Sequence, residues 1–262
     1  AYEQCLTDEA LDRETYPDVD WGCELNLVAP VLSDYLGEQT FVSTGLELID
    51  GVTLGILLLV LFASVSFVAA EFSTGAIGTW LTFEPRRVRV YASKLGAAVL
   101  GASALGLVGY VITVTSVYLP FAVRGTTGEV TAQTWAGVAA GLGRFVIASA
   151  LVATLSVALA FLLRHLAAAI GVAIGWLAFE QLAALAYPHA QRWVVMTNLS
   201  ALREGGTSYY LDVCTFDEVL ARRVCEWTEF PVSALQGGLV LGAIVSALTV
   251  VALLVFRRRD VT

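Results

Sequence analysis

Five apolar runs, each long enough to cross a hydrocarbon core of roughly 30 Å, limit what this chain can fold into. Residues 51–70 (GVTLGILLLVLFASVSFVAA), 96–119 and 237–256 carry no charge at all. The run 136–163 holds one charge, Arg144, and the run 166–187 holds one, Glu180. A helix of this length without a polar face has no solvated side to offer a water-soluble globule. The reading is an all-α polytopic membrane protein with five visible spans. Composition agrees, at 57% hydrophobic and 15% charged residues.

Orientation follows from the placement of Lys and Arg. The segment 71–95, the turn after 163 and the terminal "FRRRDVT" hold 8 basic residues against 3 acids, a formal charge of +5. Residues 1–50, 120–135 and 188–236 hold 6 basic residues against 19 acids, a formal charge of −13. The first set is therefore expected in the cytosol and the second outside, with the N-terminal segment outside and the C-terminus cytosolic. The low pI of 4.8 belongs to the outer face. It implies no nucleic-acid partner. The chain begins "AYEQC", so an outside start calls for a preceding span or leader; a further first span would make six, with both ends cytosolic.

All four cysteines (Cys5, Cys23, Cys214, Cys225) fall in segments assigned outside, where disulfides persist. Three pairings are possible. Cys5–Cys23 would close a compact acidic loop. In "CTFDEVLARRVC", Thr215 and Glu218 form a capping box that predicts a helix. Cysteines at its two ends would lie roughly 16 Å apart, beyond a disulfide's reach. Either that helix ends early or these cysteines pair with the N-terminal ones.

Residues 1–43 read as an acidic extracytoplasmic segment and 44–262 as the transmembrane domain. "STGLELID" opens the first span, with Thr44 and Glu47 as its capping box. Small residues recur every four positions at Ala98, Ala102 and Gly106, and as Gly137/Gly141, Gly171/Gly175 and Gly238/Gly242; such spacing lets helices approach closely in lipid. The loop 188–236 predicts two short helices over the outer mouth, "RWVVMTNLSALREG" and "TFDEVLARRVCEW". "NLS" at Asn198 matches a glycosylation acceptor, a motif too short to weigh.

Between the first two spans lies "VAAEFSTGAIGTWLTFEPRRVRVYASKLGA". Read as a helix, Glu71, Gly75, Gly78 and Thr82 share a small polar face, with Trp80 and its apolar neighbours mostly opposite. That describes an amphipathic helix lying along the inner membrane surface, broken by Pro85. Its small face leaves a shallow groove for another protein. Arg87, Arg89 and Lys94 read as anchors of the next span.

The ordered pattern of an acid, a glycine four residues on, Pro-Arg-Arg and a downstream Lys resembles the first cytosolic loop of ABC type-2 exporter permeases of bacteria. "FRRRDVT" is similar to that family's common ending, and "LAFLLRHLAAAIGVAIGW" resembles its tight cytosolic turn. The resemblance covers about residues 45–262. It implies a dimeric permease in the plasma membrane, paired with itself or a homologous chain, that docks ATP-binding subunits through a coupling elbow at 71–95. Glu71, Gly75, Gly78, Thr79, Thr82, Pro85, Arg86 and Arg87 would form that elbow. ATP and magnesium would sit on the partner. The chain itself has no G-x-x-x-x-G-K-[ST]. Efflux of a lipid-like, drug-like or peptide substrate follows from the family. The rivals are a non-transporting membrane scaffold and an ion-coupled carrier, the latter ordinarily richer in buried ionisable groups.

Arg144 and Glu180 lie at similar depth on consecutive antiparallel spans. A mid-bilayer charge costs about 2.5–3.5 kcal/mol on insertion scales, so the two are expected to pair. If Glu180 instead faced a cavity, it could meet a cationic or polar substrate head with Gln181. His165 and His189 are too far apart to suggest a zinc site. No H-E-x-x-H or paired-Asp motif points to an enzyme.

Overall fold

The computed structural model describes residues 2–16, 21–23, 39–217 and 222–258. Helix α1 spans Tyr2–Arg13, and Cys5 is bonded to Cys23. The first long helix starts earlier than the sequence reading placed it. Thr40 and Ser43 form the capping box, each side chain accepting from the other's backbone N–H. One π-helical turn, Phe41–Gly45, leads into α2, Leu46–Ser73. The predicted box at Thr44 and Glu47 falls one turn too late. Phe41 is what demands the earlier start: fully buried, it packs against Tyr118, Phe121 and Trp135.

Gly75, at φ +72°, ends α2 and launches the short helix α3, Ala76–Phe83. Helix α4 runs Arg87–Arg124 and passes through Pro120, where the apolar run seemed to stop. A second reciprocal capping box, Thr131 with Thr134, opens α5, Ala132–Leu163. Arg164 and His165 turn the chain into α6, Leu166–Ala186. A 3₁₀ turn (Pro188–Trp193) and helix α7, Val195–Glu204, follow. Strands β1, Gly206–Asp217, and β2, Arg222–Ser233, form an antiparallel hairpin before α8, Ala234–Arg258.

Five of these helices are long and apolar enough to cross a membrane: α2 with its π turn, α4, α5, α6 and α8. Helix α5 is the most buried and α6 the least. The helices meet most closely where a side chain is missing. A Cβ on Gly106 of α4 would stand 2.5 Å from Ser149 Oγ of α5, and one on Gly141 of α5 would stand 2.5 Å from Tyr110 Oη of α4. Ala98, Ala102, Gly106 and Tyr110 do form the buried stripe of α4. Gly171, Gly175 and Gly242 face nothing within 4 Å. The close contact on α8 is instead Gly237, set against the backbone of α7.

Two aromatic clusters mark the ends of the bundle. Phe161 meets Phe72, Tyr91 and Phe256 at the end bearing α3. Phe41 and its partners occupy the end bearing the hairpin.

The hairpin corrects the second predicted loop helix. "DEVLARR" has helical propensity, but 12 residues on each strand pair in continuous register from Gly206↔Ser233 to Asp217↔Arg222. Cys214 and Cys225 are direct cross-strand partners and are bonded to each other. Two cysteines that a helix would hold apart are therefore neighbours, because long-range pairing overrides local propensity. Glu218 of the predicted capping box and the chain beyond Arg258 lie outside the described residues.

Candidate functional site

Two places on the bundle gather polar chemistry, one at each end. At the first, the predicted single amphipathic helix is two pieces. Glu71 belongs to the last turn of α2, and the left-handed Gly75 reorients the chain before α3. Helix α3 is fastened by Ile77, fully buried, and by Leu81, which packs on the same core. Its exposed residues are Thr79, Trp80, Thr82 and Phe83, with Phe83 at 83% exposure. A shallow recess lies among Ala76, Thr79, Trp80 and Phe83. The outward face is thus more aromatic than the expected small polar one.

Several of the predicted elbow residues are turned to internal duty. Glu71 forms an ion pair with Lys94 of α4, largely shielded from solvent. The Lys94 ammonium also lies 5.0 Å from the Trp80 ring centroid and 5.5 Å from that of Phe67. Arg87 donates through Nη1 to the Phe256 carbonyl (3.0 Å), placing a cation at the C-terminal end of α8. Pro85 separates α3 from α4, and Arg86 beside it is exposed. Glu84 accepts from Arg89 at 2.6 Å, which holds its carboxyl below the usual glutamate range. The sequence placed Glu71, Arg87 and Lys94 at this end but could not show that they are spent on holding it together.

At the hairpin end, the predicted Arg144–Glu180 pair is not formed. Arg144 donates through Nε to the Arg203 carbonyl (3.1 Å) and through Nη2 to the Glu204 carbonyl (3.4 Å). Glu180 accepts from the Val195 N–H (2.9 Å) and from Trp176 Nε1 (2.8 Å). Both charges therefore sit on α7, the arginine at its C-terminal carbonyls and the carboxylate at its first N–H. Each complements the end of the helix dipole it meets. In sequence α7 is a short helix of the outer loop, and nothing in its local pattern marks its two ends as partners for these charges.

Residues that sequence reasoning missed gather beside Arg144. Arg203, buried, donates through Nη1 to the Asp50 carbonyl and to Thr53 Oγ1 (3.2 Å), and through Nη2 to Glu204 (2.8 Å). Gly205, at φ +98°, lies so close to Arg144 that a Cβ there would be 3.2 Å from the guanidinium carbon. Tyr110 donates to the Val138 carbonyl at 3.1 Å. Asp50, Tyr110, Arg144, Arg203 and Glu204 line one cavity of about 350 Å³. The sequence places Asp50 at the opening of the first span and Arg203 in a short helix over the outer mouth; only their meeting reveals the site. Gln181 does not line it.

Asn198 is fully buried, and its Nδ2 donates to the Arg192 and Val194 carbonyls. It is a structural residue of α7, with no room for a glycan. Among the described residues no three His, Cys, Asp or Glu side chains are grouped to hold a metal ion.

The chain matches no family model, no curated protein and no solved structure. What the described helices define is a class: a helical membrane protein with five long apolar helices, a short exposed helix at one end and a disulfide-bonded hairpin at the other.

Proposed function

We propose that this chain is the permease subunit of an ATP-driven ABC exporter in a bacterial plasma membrane, with α3 as the docking element for a separate ATP-binding subunit. The observation that carries the reading is α3 itself. It is a short helix held from below by Ile77 and presenting Trp80 and Phe83 outward. A water-facing loop has no need of two exposed aromatics on a fastened helix, whereas a docking face does. The order of residues through it, Glu71, Gly75, Pro85, Arg86 and Lys94, is the order that the family resemblance rests on.

In this reading the α3 end is cytosolic. It carries Arg86, Arg89, Arg164, Arg257 and Arg258, in keeping with the positive-inside tendency. The disulfide-bonded hairpin then lies in the oxidising compartment. ATP and Mg²⁺ belong to the partner, and a second permease copy or a homologue completes the dimer. The substrate is lipid-like, drug-like or a peptide.

The test is affinity purification of the full-length protein in mild detergent. An ATP-binding subunit should accompany the native chain and be lost with Phe83→Glu, a change confined to an exposed side chain. A folded native chain that brings down no ATPase overturns the reading and favours a membrane scaffold.

A further inference from the structure

The cavity at the hairpin end holds charges that the fold does not use up. Arg203 and Glu204 form an ion pair at 2.8 Å, although the buried Arg203 Nε has no hydrogen-bond partner. Asp50 is different. Its backbone carbonyl accepts from Arg203 and from Thr53, but its carboxylate has no hydrogen bond or ion pair among the described residues. Arg144 spends Nε and Nη2 on the carbonyls of α7 and leaves Nη1 without an acceptor. Both groups belong to helices long and apolar enough to span a membrane, where a charge without a direct partner is expensive. Asp50 feels the charges of Arg203 and Arg144 through space, but neither guanidinium is bonded to its carboxylate. Both border the same space.

We propose that this cavity binds a zwitterionic group, its ammonium against the Asp50 carboxylate and its anionic oxygen against Arg144 Nη1. The charge count decides the class. Two carboxylates and two guanidinium groups line the cavity, so an anion alone leaves Asp50 unmatched and a cation alone leaves Arg144 unmatched. A ligand carrying both signs compensates each. The Tyr110 hydroxyl, already donating to Val138, has an oxygen free to accept from the ammonium. Leu46 and Ile49 give the cavity an apolar wall on the α2 side for the carbon skeleton next to the charges. At about 350 Å³ the space lies at the small end of ligand sites, which run roughly 300–1,000 Å³. A phosphoethanolamine group has the required chemistry, either free or as a lipid head. This site stands whether or not an ATP-binding partner exists.

The test uses the full-length chain in detergent. Native mass spectrometry would compare retention of phosphatidylethanolamine, phosphatidylcholine and phosphatidylglycerol, and calorimetry would titrate soluble O-phosphoethanolamine. Phosphatidylethanolamine should be retained at least about 5-fold better than the glycerol lipid, which lacks the cation, and better than the choline lipid, whose ammonium has no N–H to donate. Asp50→Asn, which removes a carboxylate with no partner in the fold, should abolish that preference. Binding of the soluble head group with the same dependence on Asp50 identifies the free group as sufficient; retention of the lipid alone identifies the bilayer as its source. Equal retention of the three lipids with no binding of the soluble group overturns the proposal, and so does an unchanged preference in Asp50→Asn. The lipid series on the native chain stands by itself if the variant is unstable.

Discussion

Arg144 and Glu180 hold opposite ends of one helix. The arginine donates to the last carbonyls of α7, Arg203 and Glu204, and the glutamate accepts from its first N–H, at Val195. Ten residues of helix, about 15 Å at 1.5 Å per residue, stand between the two ends. Each charge thereby meets the partial charge of opposite sign that an uncapped helix end would leave exposed to a low-dielectric surrounding.

That arrangement predicts what a charge swap does. Glu180→Ala strands the Val195 N–H, and Arg144→Ala strands two carbonyls; each should cost about 1–3 kcal/mol, read as a lower thermal midpoint in detergent. The exchange Arg144→Glu/Glu180→Arg should be at least as damaging as the two single changes together, since each end of α7 would then meet the wrong sign. A swapped protein that recovers the native midpoint would mean the two side chains pair after all.

The glycines divide into two groups. Gly237→Ala places a methyl about 3.1 Å from the Leu202 nitrogen and 3.3 Å from the Ala201 Cβ, and backbone does not yield as a flexible side chain would. A loss of about 1–3 kcal/mol is expected. Gly171→Ala and Gly175→Ala meet nothing within 4 Å and should leave the monomer's stability unchanged or improved by up to about 1 kcal/mol. Melting curves on the three variants decide it. A Gly171→Ala protein that melts earlier only as a dimer would place the second copy on α6.

Peptide mapping without reduction should recover two linked pairs, Cys5 with Cys23 and Cys214 with Cys225. A peptide joining Cys5 or Cys23 to the hairpin would contradict the strand register. Opening Cys214–Cys225 with the Ser variants releases a closed loop of about a dozen residues, worth roughly 3 kcal/mol in the chain-entropy account. The effect should be local: amide exchange should quicken through β1 and β2 and stay native in α5.

Glu84 and Arg89 give a pH dependence with a definite sign. The carboxyl is held below its ordinary range by the guanidinium, so whatever the contact contributes is present above the unfolded glutamate pKa and fades as pH falls through the lowered value. Between pH 6 and 8 the difference between the native chain and Glu84→Gln should therefore be constant. It should shrink only in acid, followed by thermal midpoint. A difference that varies between pH 6 and 8 would assign the titration to another group.

Much of the fold is written in local pattern. Apolar runs of about twenty residues dictate helices because unpaired backbone groups cannot be tolerated in hydrocarbon. Four of the five runs lie wholly within the long helices, and the fourth in order, 166–187, overruns its helix by Tyr187 alone. Pro85 ends α3 because a ring without an N–H breaks the ladder, and Gly75 marks the bend that a side chain would resist. The stripe Ala98, Ala102, Gly106 was legible as a contact face by its four-residue spacing alone.

What the tertiary structure decided is which charge meets which. Asp50 and Arg203 are separated by 153 positions, and neither looks unusual in its own neighbourhood. "DEVLARR" favours a helix locally, yet its first residue and its last two belong to strands held by a ladder that runs to Gly206↔Ser233 and by a disulfide between facing cysteines. Arg144 and Glu180 were visible as charges needing partners, but the partner is a helix placed between them by a loop. Local pattern determines where backbone is satisfied, since those hydrogen bonds close within a few residues. Side-chain charges find partners through space, and only the packed bundle says which groups are within reach.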